Sequence, residues 1–538
     1  MKWKIVMLPA VVAIVSAAAF GQTAVKDVAG VVKVTGGSVQ GKPGRDKSIA
    51  VFKGIPFAAP PVGDLRWRAP QPVVAWEGVH EADRFGNSCI QKTVYERKPW
   101  THEFMSHNDI SEDCLYLNVW TPAKSSSDKL PVYVYLYGGG NVEGSGAVPV
   151  YDGEGLAKKG VIVVTPNYRL GIFGYFAHPE LTGEAPYHAS GNYAELDVIA
   201  ALQWVKANIA RFGGDPDKVT VGGQSAGSGH VFSLTYSPLA KGLFRGAINE
   251  SGVSAAVATA AATNTLAQAE KTGVEFAKAK GAASIAELRK LSWQEILDPV
   301  PPSTPEGKAP VFRFGGVIDG YVFPAPAREV YAQGRQNDVP VLTGLNRNDN
   351  TGPVPHPDIT AAAFTEQAQK RYGDAAGEFL KLYPASTDGE ARESLTHSTW
   401  DYNRTGTYFW SEWRAKTAKT KVFTYFWDHA LPGPDADLYG AFHTSEVPYV
   451  LNSLNMSDRP FTDADHKIAD TMSSYWANFI KTGDPNGPGL AHWPSTSEQP
   501  GMTMELGDKY APIPVAGSKE KQAFFEQYYS MPHPQQGP

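Results

Sequence analysis

Two cysteines in 538 residues are too few for a disulfide mini-scaffold, a four-thiolate zinc site or an iron–sulfur cluster. Basic charge is not in excess. The 49 Lys+Arg stand against 55 Asp+Glu, a net charge of -6, which argues against a nucleic-acid binder. No H-E-x-x-H stretch or clustered ligand pattern occurs, so nothing points to metal-dependent hydrolysis. Internal repeats, heptads and low-complexity tracts are lacking, and no linker divides the chain. Past the N-terminus no run is long and apolar enough to span a bilayer. What is present, 42% hydrophobic and 19% charged residues, is the composition of a globular enzyme rather than a disordered chain.

The N-terminus reads as an address. Lys2 and Lys4 precede an apolar run from Ile5 to Phe20, which ends in small residues before Gly21. This pattern predicts a secretory signal over residues 1–21 and a mature chain over 22–538 that is secreted or periplasmic, with no stable membrane insertion after cleavage. Pro9 and the short length disfavour an uncleaved anchor. An oxidising destination favours pairing Cys89 with Cys114 over two free thiols, and closing a loop of that size stabilises by roughly 3.5 kcal/mol in the chain-entropy model.

Short apolar runs alternate with helical ones. Pro131 to Tyr137 reads as a strand ending in Gly138-Gly139-Gly140, and Gly160 to Pro166 as a strand buried on both faces. Leu196 to Phe212 has helical spacing and stops at Gly213-Gly214. Val219 to Gly222, Phe244 to Ile248, Val339 to Gly344, Val422 to Trp427 and Met502 to Leu506 are further strand candidates. The alternation predicts an α/β fold with a parallel or mostly parallel sheet. The Ala-rich stretch Ser254 to Ala283 is helical in tendency.

After the strand ending at Gly222 comes Gly223-Gln224-Ser225-Ala226-Gly227, a G-x-S-x-G turn leading into a helix. Such a strand–turn–helix holds the serine in a strained, exposed position, and its neighbours must be small because two backbones approach closely there. Acyl transfer also builds charge on a carbonyl oxygen, and backbone N–H groups aimed at it stabilise that charge. Tyr137-Gly138-Gly139-Gly140-Asn141 has the glycines to expose such donors, and Gly139, Gly140 and Ala226 are assigned that role.

Taken together these residues resemble the type-B carboxylesterase family, the cholinesterase-like branch of the α/β-hydrolase fold, and within it the bacterial para-nitrobenzyl-esterase-like members. Gly54-Ile55-Pro56-Phe57-Ala58 and Leu65-Arg66-Trp67 resemble its first signature, and Glu112-Asp113-Cys114-Leu115-Tyr116-Leu117-Asn118 its second. Asn167-Tyr168-Arg169, Phe212-Gly213-Gly214-Asp215-Pro216 and Trp476-Ala477-Asn478-Phe479 also fit. The resemblance runs from about Val28 to Leu506. It implies one large domain with a central twisted sheet, an active-site gorge, no metal or organic cofactor, a small-molecule ester as substrate, and the Cys89–Cys114 disulfide.

A serine hydroxyl needs a base, and the base needs a carboxylate that fixes its tautomer. Residue physics cannot choose among the histidines that follow Ser225. The resemblance chooses His443, in Gly440-Ala441-Phe442-His443-Thr444-Ser445-Glu446, while His429 looks structural. The family's acid is a glutamate in Gly-x-Asn-x-Asp-Glu-Gly. Here Gly344-Leu345-Asn346-Arg347-Asn348-Asp349-Asn350 puts Asp349 in its place, one methylene shorter, so its loop must approach His443 more closely.

Departures from the family bear on substrate. Choline-processing relatives carry glutamate before the nucleophile. Gln224 is neutral, which disfavours a choline ester. Val253 to Thr259 holds no aromatic, which suggests a wide acyl side or else simple packing of a helix on the sheet. Trp100 is a candidate for the gorge rim, and Ser251 for support of the triad. The expectation is a serine carboxylesterase for small to medium esters. The alternatives are a specialist for aromatic-acyl, toxin, pyrethroid or carbamate esters, and a non-catalytic binding protein of the same fold.

Overall fold

The structure is a computed structural model that describes residues 30–254, 264–300, 310–350 and 359–531. The leader assigned to residues 1–21 lies outside the described residues, as do residues 255–259 of the Val253 to Thr259 run.

The described strands form two sheets. A small one joins β1 (Val31–Val34), β2 (Gly37–Gln40) and β5 (Val79–Glu81). The large one has eleven strands: β3 (Lys42–Pro43), β4 (Ala50–Pro56), β6 (Tyr116–Thr121), β7 (Leu130–Leu136), β8 (Ile162–Pro166), β9 (Gly214–Gln224), β10 (Gly246–Glu250), β11 (Val341–Asn346), β12 (Val422–Asp428), β13 (Met502–Gly507) and β14 (Ala511–Pro514). Their order is β14-β13-β12-β11-β10-β9-β7-β8-β6-β4-β3. The seven strands from β8 through β13 pair in parallel, and the antiparallel pairs lie toward the two edges. This is the mostly parallel sheet that the alternating pattern predicts. Every residue of β8, β10 and β11 is buried, as continuous apolar runs require in a sheet covered on both faces.

Most strand bounds shift by one or two residues from the sequence reading, and two elements differ more, each for a local reason. The helix Tyr193–Asn208 begins three residues before Leu196, and its end tightens into a 3-10 turn, Ile209–Phe212. Gly213, with φ +81°, closes that turn in the left-handed region where a side chain would be strained. The strand expected from Val219 starts at Gly214, because the register shifts between Leu130 and Val132 and the irregularity tolerates Pro216.

The helix Asp388–Ala415, 28 residues long, carried no clear signal. Its polar residues outweigh its apolar ones, but its aromatic side chains divide between two cores: Tyr402 and Phe409 pack with Phe364, Phe379 and Phe525, and Trp410 packs into the main core against Phe232 and Tyr331. Tertiary burial, not periodicity, stabilises it. In the expected Ala-rich helix the described part is Leu266–Ala279, opened by a Thr265/Gln268 capping box.

Cys89 and Cys114 are disulfide-bonded across a separation of 25 residues. The loop they close supplies a wall of a cavity of about 300 Å³ near the sheet's carboxyl edge, which is where open α/β sheets bind ligands.

Candidate active site

The turn after β9 is built from steric necessity. An added Cβ on Gly223 would lie 2.6 Å from the Leu136 carbonyl oxygen, and one on Gly227 only 2.0 Å from it. Strand and helix approach closely enough that only glycine fits on either side of Ser225. Ser225 itself sits at φ +55°, ψ -120°, a conformation that costs on the order of 1–3 kcal/mol for a non-glycine residue. Its N–H donates to the Glu250 carbonyl oxygen at 2.8 Å, which ties the strained turn to β10. The helix Ala226–Tyr236 begins at the next residue, so the free N–H groups and positive dipole end of that helix face the serine.

Opposite lies the glycine loop after β7. Gly139 and Gly140 have φ of +113° and +61°, and no side chain stands between their backbone and the cavity. Gly138 to Gly140, Ser225, Gln224 and His443 line one cavity of about 300 Å³. Ala226 does not line it, but it is the first residue of the helix.

His443, which lines this cavity, meets Asp349, which does not. His443 Nδ1 lies 2.8 Å from Asp349 Oδ1. The shorter acid reaches because its loop is drawn onto the histidine loop by three hydrogen bonds. Asn348 N–H donates to the Ala441 carbonyl (3.0 Å), Ala441 N–H donates to Asn348 Oδ1 (3.0 Å), and Asn346 Nδ2 donates to the Phe442 carbonyl (2.7 Å). Asn346 and Asn348 are thus site residues that composition alone did not reveal; the asparagines alternating along the approach to Asp349 were the available signal.

Burial works to lower the pKa of His443, but the charge and hydrogen bond of Asp349 outweigh it and hold it above the ordinary 6.5. Glu446 adds to this only when ionised, and burial pushes its own pKa up to about 8. A neutral base is required for catalysis, so activity rises with pH through a midpoint above 6.5.

Gln224 is buried beside the base, its Nε2 3.1 Å from His443 Nε2. A carboxylate at that place would favour the imidazolium. Gln224→Glu is expected to move the acid limb of the kcat/KM profile up by about one pH unit. Superimposable profiles for the two proteins would show that the side chain does not sit beside the base. Trp100 is closer to the chemistry than a rim residue: its Nε1 donates to the His443 carbonyl (3.1 Å) and lies 3.2 Å from Thr444 Oγ1, with its ring edge-on to the imidazole. Ser251, at φ +52°, donates its N–H to the Gly344 carbonyl (2.8 Å), and its buried hydroxyl finds no hydrogen-bond partner among the described residues. It joins the end of β10 to β11. His429 lies elsewhere, between Asp508 (2.6 Å) and Asp465 (3.0 Å), as a structural histidine would.

The disulfide-closed loop reaches the glycine loop through Gln91, which accepts from Gly144 N–H and donates to its carbonyl, both at 2.8 Å. At the mouth Arg97 pairs with Glu143 and stacks over Trp100, 5.3 Å from its ring centre. Among the described residues no group of three or more His, Cys, Asp and Glu is placed to hold a metal ion, and no helix is long and apolar enough to cross a membrane.

Residues 28–525 match the Carboxylesterase family. The chain is 36% identical over 492 residues to fumonisin B1 esterase of Sphingopyxis macrogoltabida, covering 88% of this chain and 85% of that one. It is 33% identical over 497 residues to para-nitrobenzyl esterase of Bacillus subtilis (strain 168), covering 89% and 96%. The solved structure of a PNB esterase superposes with a TM-score of 0.73 at 32% identity, over 92% of this chain and all of that one. The α/β-hydrolase fold expected from the sequence is the fold found.

Proposed function

Because the chain belongs to the carboxylesterase family and is a carboxylic ester hydrolase, we propose that Ser225 is its nucleophile, His443 its general base and Asp349 the acid that orients the base. The observation that carries this reading is the 2.8 Å contact between Asp349 and Nδ1 of His443, which lines the same cavity as Ser225. Asp349 holds the Nδ1–H tautomer and keeps a lone pair on Nε2, which faces the Gln224 amide at 3.1 Å in this structure and must pass to the serine hydroxyl for attack.

Ser225 Oγ attacks the ester carbonyl carbon as His443 Nε2 takes its proton. The N–H groups of Gly139, Gly140 and Ala226 bind the resulting oxyanion. The bond to the alcohol oxygen breaks as His443 returns the proton to it, leaving an acyl group on Ser225. Water, deprotonated by the same imidazole, then releases the carboxylic acid.

The cavity volume supports small to medium substrates, at the low end of organic-ligand pockets. The neutral Gln224 supports uncharged rather than quaternary-ammonium alcohols. A second reading, a specialist for a bulky ester, draws support from the relative named fumonisin B1 esterase. The N-terminal pattern supports export through a signal over residues 1–21, and the disulfide is compatible with an oxidising destination.

A panel of nitrophenyl and alkyl esters, with acyl and alcohol size varied separately, tests this. We expect turnover across short and medium acyl groups with a gradual fall in kcat/KM as size grows. A sharp optimum for one large acid or alcohol would favour the specialist, and no turnover of any ester would refute the enzyme reading.

A further inference from the structure

The glycine loop ends in Asn141, a non-glycine residue at φ +61°. Asparagine tolerates that region, and two contacts hold it there. Its carbonyl accepts from Gly171 N–H at 2.7 Å, and its Oδ1 lies 3.1 Å from His230 Nε2. His230 belongs to the helix that starts beside Ser225, and its imidazole is buried.

The protonation pattern of this contact follows from its partners. Burial pushes the His230 pKa down to about 3, so the ring is neutral and carries one N–H. Asn141 Oδ1 can only accept, so the proton sits on Nε2 and points at the loop. Nδ1 then faces Glu195 Oε1 at 3.5 Å. Burial pushes the Glu195 pKa up to about 8, which leaves its carboxyl protonated at neutral pH. The Tyr175 hydroxyl lies 3.4 Å from Nε2 and 3.5 Å from Glu195 Oε1. The nearby charges are Asp197, neutralised by Arg169, and Asp319. Below, Tyr168 packs edge-on against His230 at 4.3 Å and stacks on Tyr137 at 4.2 Å. Tyr137 and Tyr168 each donate a hydroxyl to the other's carbonyl. The glycine loop is therefore fastened at both its root, Tyr137, and its tip, Asn141.

We infer that His230 is a positioning residue which, through Asn141, fixes the oxyanion donors of Gly139 and Gly140 to the helix that presents Ser225. This rests on the proposed roles of Ser225 and the glycine loop. It explains why a buried imidazole sits on the nucleophile helix without touching the triad. Nucleophile and donors then move as one body, which transition-state binding needs and ground-state binding hardly does.

Asn141→Gly tests it, because glycine keeps the left-handed φ while removing the contact. We expect kcat to fall roughly ten- to a hundredfold with KM within about threefold, and affinity for a trifluoromethyl ketone, which forms a tetrahedral oxyanion on the serine, to fall in step with kcat/KM. His230→Leu should do the same, His230→Gln should recover part of the loss, and the double variant Asn141→Gly/His230→Leu should be no slower than either single one. Should His230→Leu fail to fold, Asn141→Gly decides alone. Asn141→Gly within twofold of the wild type, or fully additive losses in the double variant, would overturn the inference. Ser225→Ala runs alongside: if it stays active the underlying reading fails, whereas an inactive Ser225→Ala beside a normal Asn141→Gly removes only the role of His230.

Discussion

Ser225→Ala is expected to lower kcat toward a nitrophenyl ester by about a millionfold, leaving only what oxyanion stabilisation and binding provide over water. The fold should be unaffected. Alanine meets the same strain at φ +55° as serine does, and the hydrogen bond from residue 225 to the Glu250 carbonyl is made by backbone. A thermal transition within about 2 °C of the wild type, beside the lost turnover, would separate chemistry from stability. KM, to the extent that it reports binding, should change little, because the hydroxyl contributes to bond-making rather than to holding the substrate. A variant that kept more than about one per cent of wild-type kcat would show that another group attacks the ester.

Asp349→Asn carries the second largest effect, a fall in kcat of about ten-thousandfold. The amide is nearly isosteric and would still lie beside His443 Nδ1. With its NH₂ turned to the ring it would impose the opposite tautomer and put a proton on Nε2, where a lone pair is needed. Asp349→Glu separates charge from reach. The bonds from Asn348 to Ala441 and from Asn346 to Phe442 fix the distance between the two loops for a short acid. An extra methylene, about 1.5 Å longer, overfills that gap. We expect a loss of roughly ten- to a hundredfold in kcat, smaller than for asparagine, with the acid limb of the pH profile still above 6.5. If Asp349→Glu were as active as the wild type, the loop spacing would not be matched to the shorter side chain. If Asp349→Asn kept wild-type kcat, another acid would orient His443.

Much of this site is legible along the chain because it is made of local necessity. Close backbone approach forces Gly223 and Gly227, and a donor loop needs Gly138 to Gly140; both leave marks at fixed spacing. The fully buried strands are equally plain, since burial on both faces demands continuous apolar residues. Contacts between distant segments leave no such mark. Asn346 and Asn348 reach Phe442 and Ala441 about a hundred positions away, and His230 reaches Asn141 across 89. Before folding, each is one polar residue among many. His443 was singled out by resemblance, not by its own pattern, and the helix Asp388–Ala415 was hidden because its aromatic residues divide between two cores rather than forming one stripe.

The most direct test of the central claim is covalent capture. Native protein is treated with a fluorophosphonate, digested, and each peptide weighed and sequenced by mass spectrometry. The account predicts one adduct per chain, located on Ser225, forming with a pH dependence that rises through a midpoint above 6.5, lost in Ser225→Ala and strongly slowed in Asp349→Asn. An adduct on any other residue, or complete inhibition with Ser225 unmodified, would contradict it.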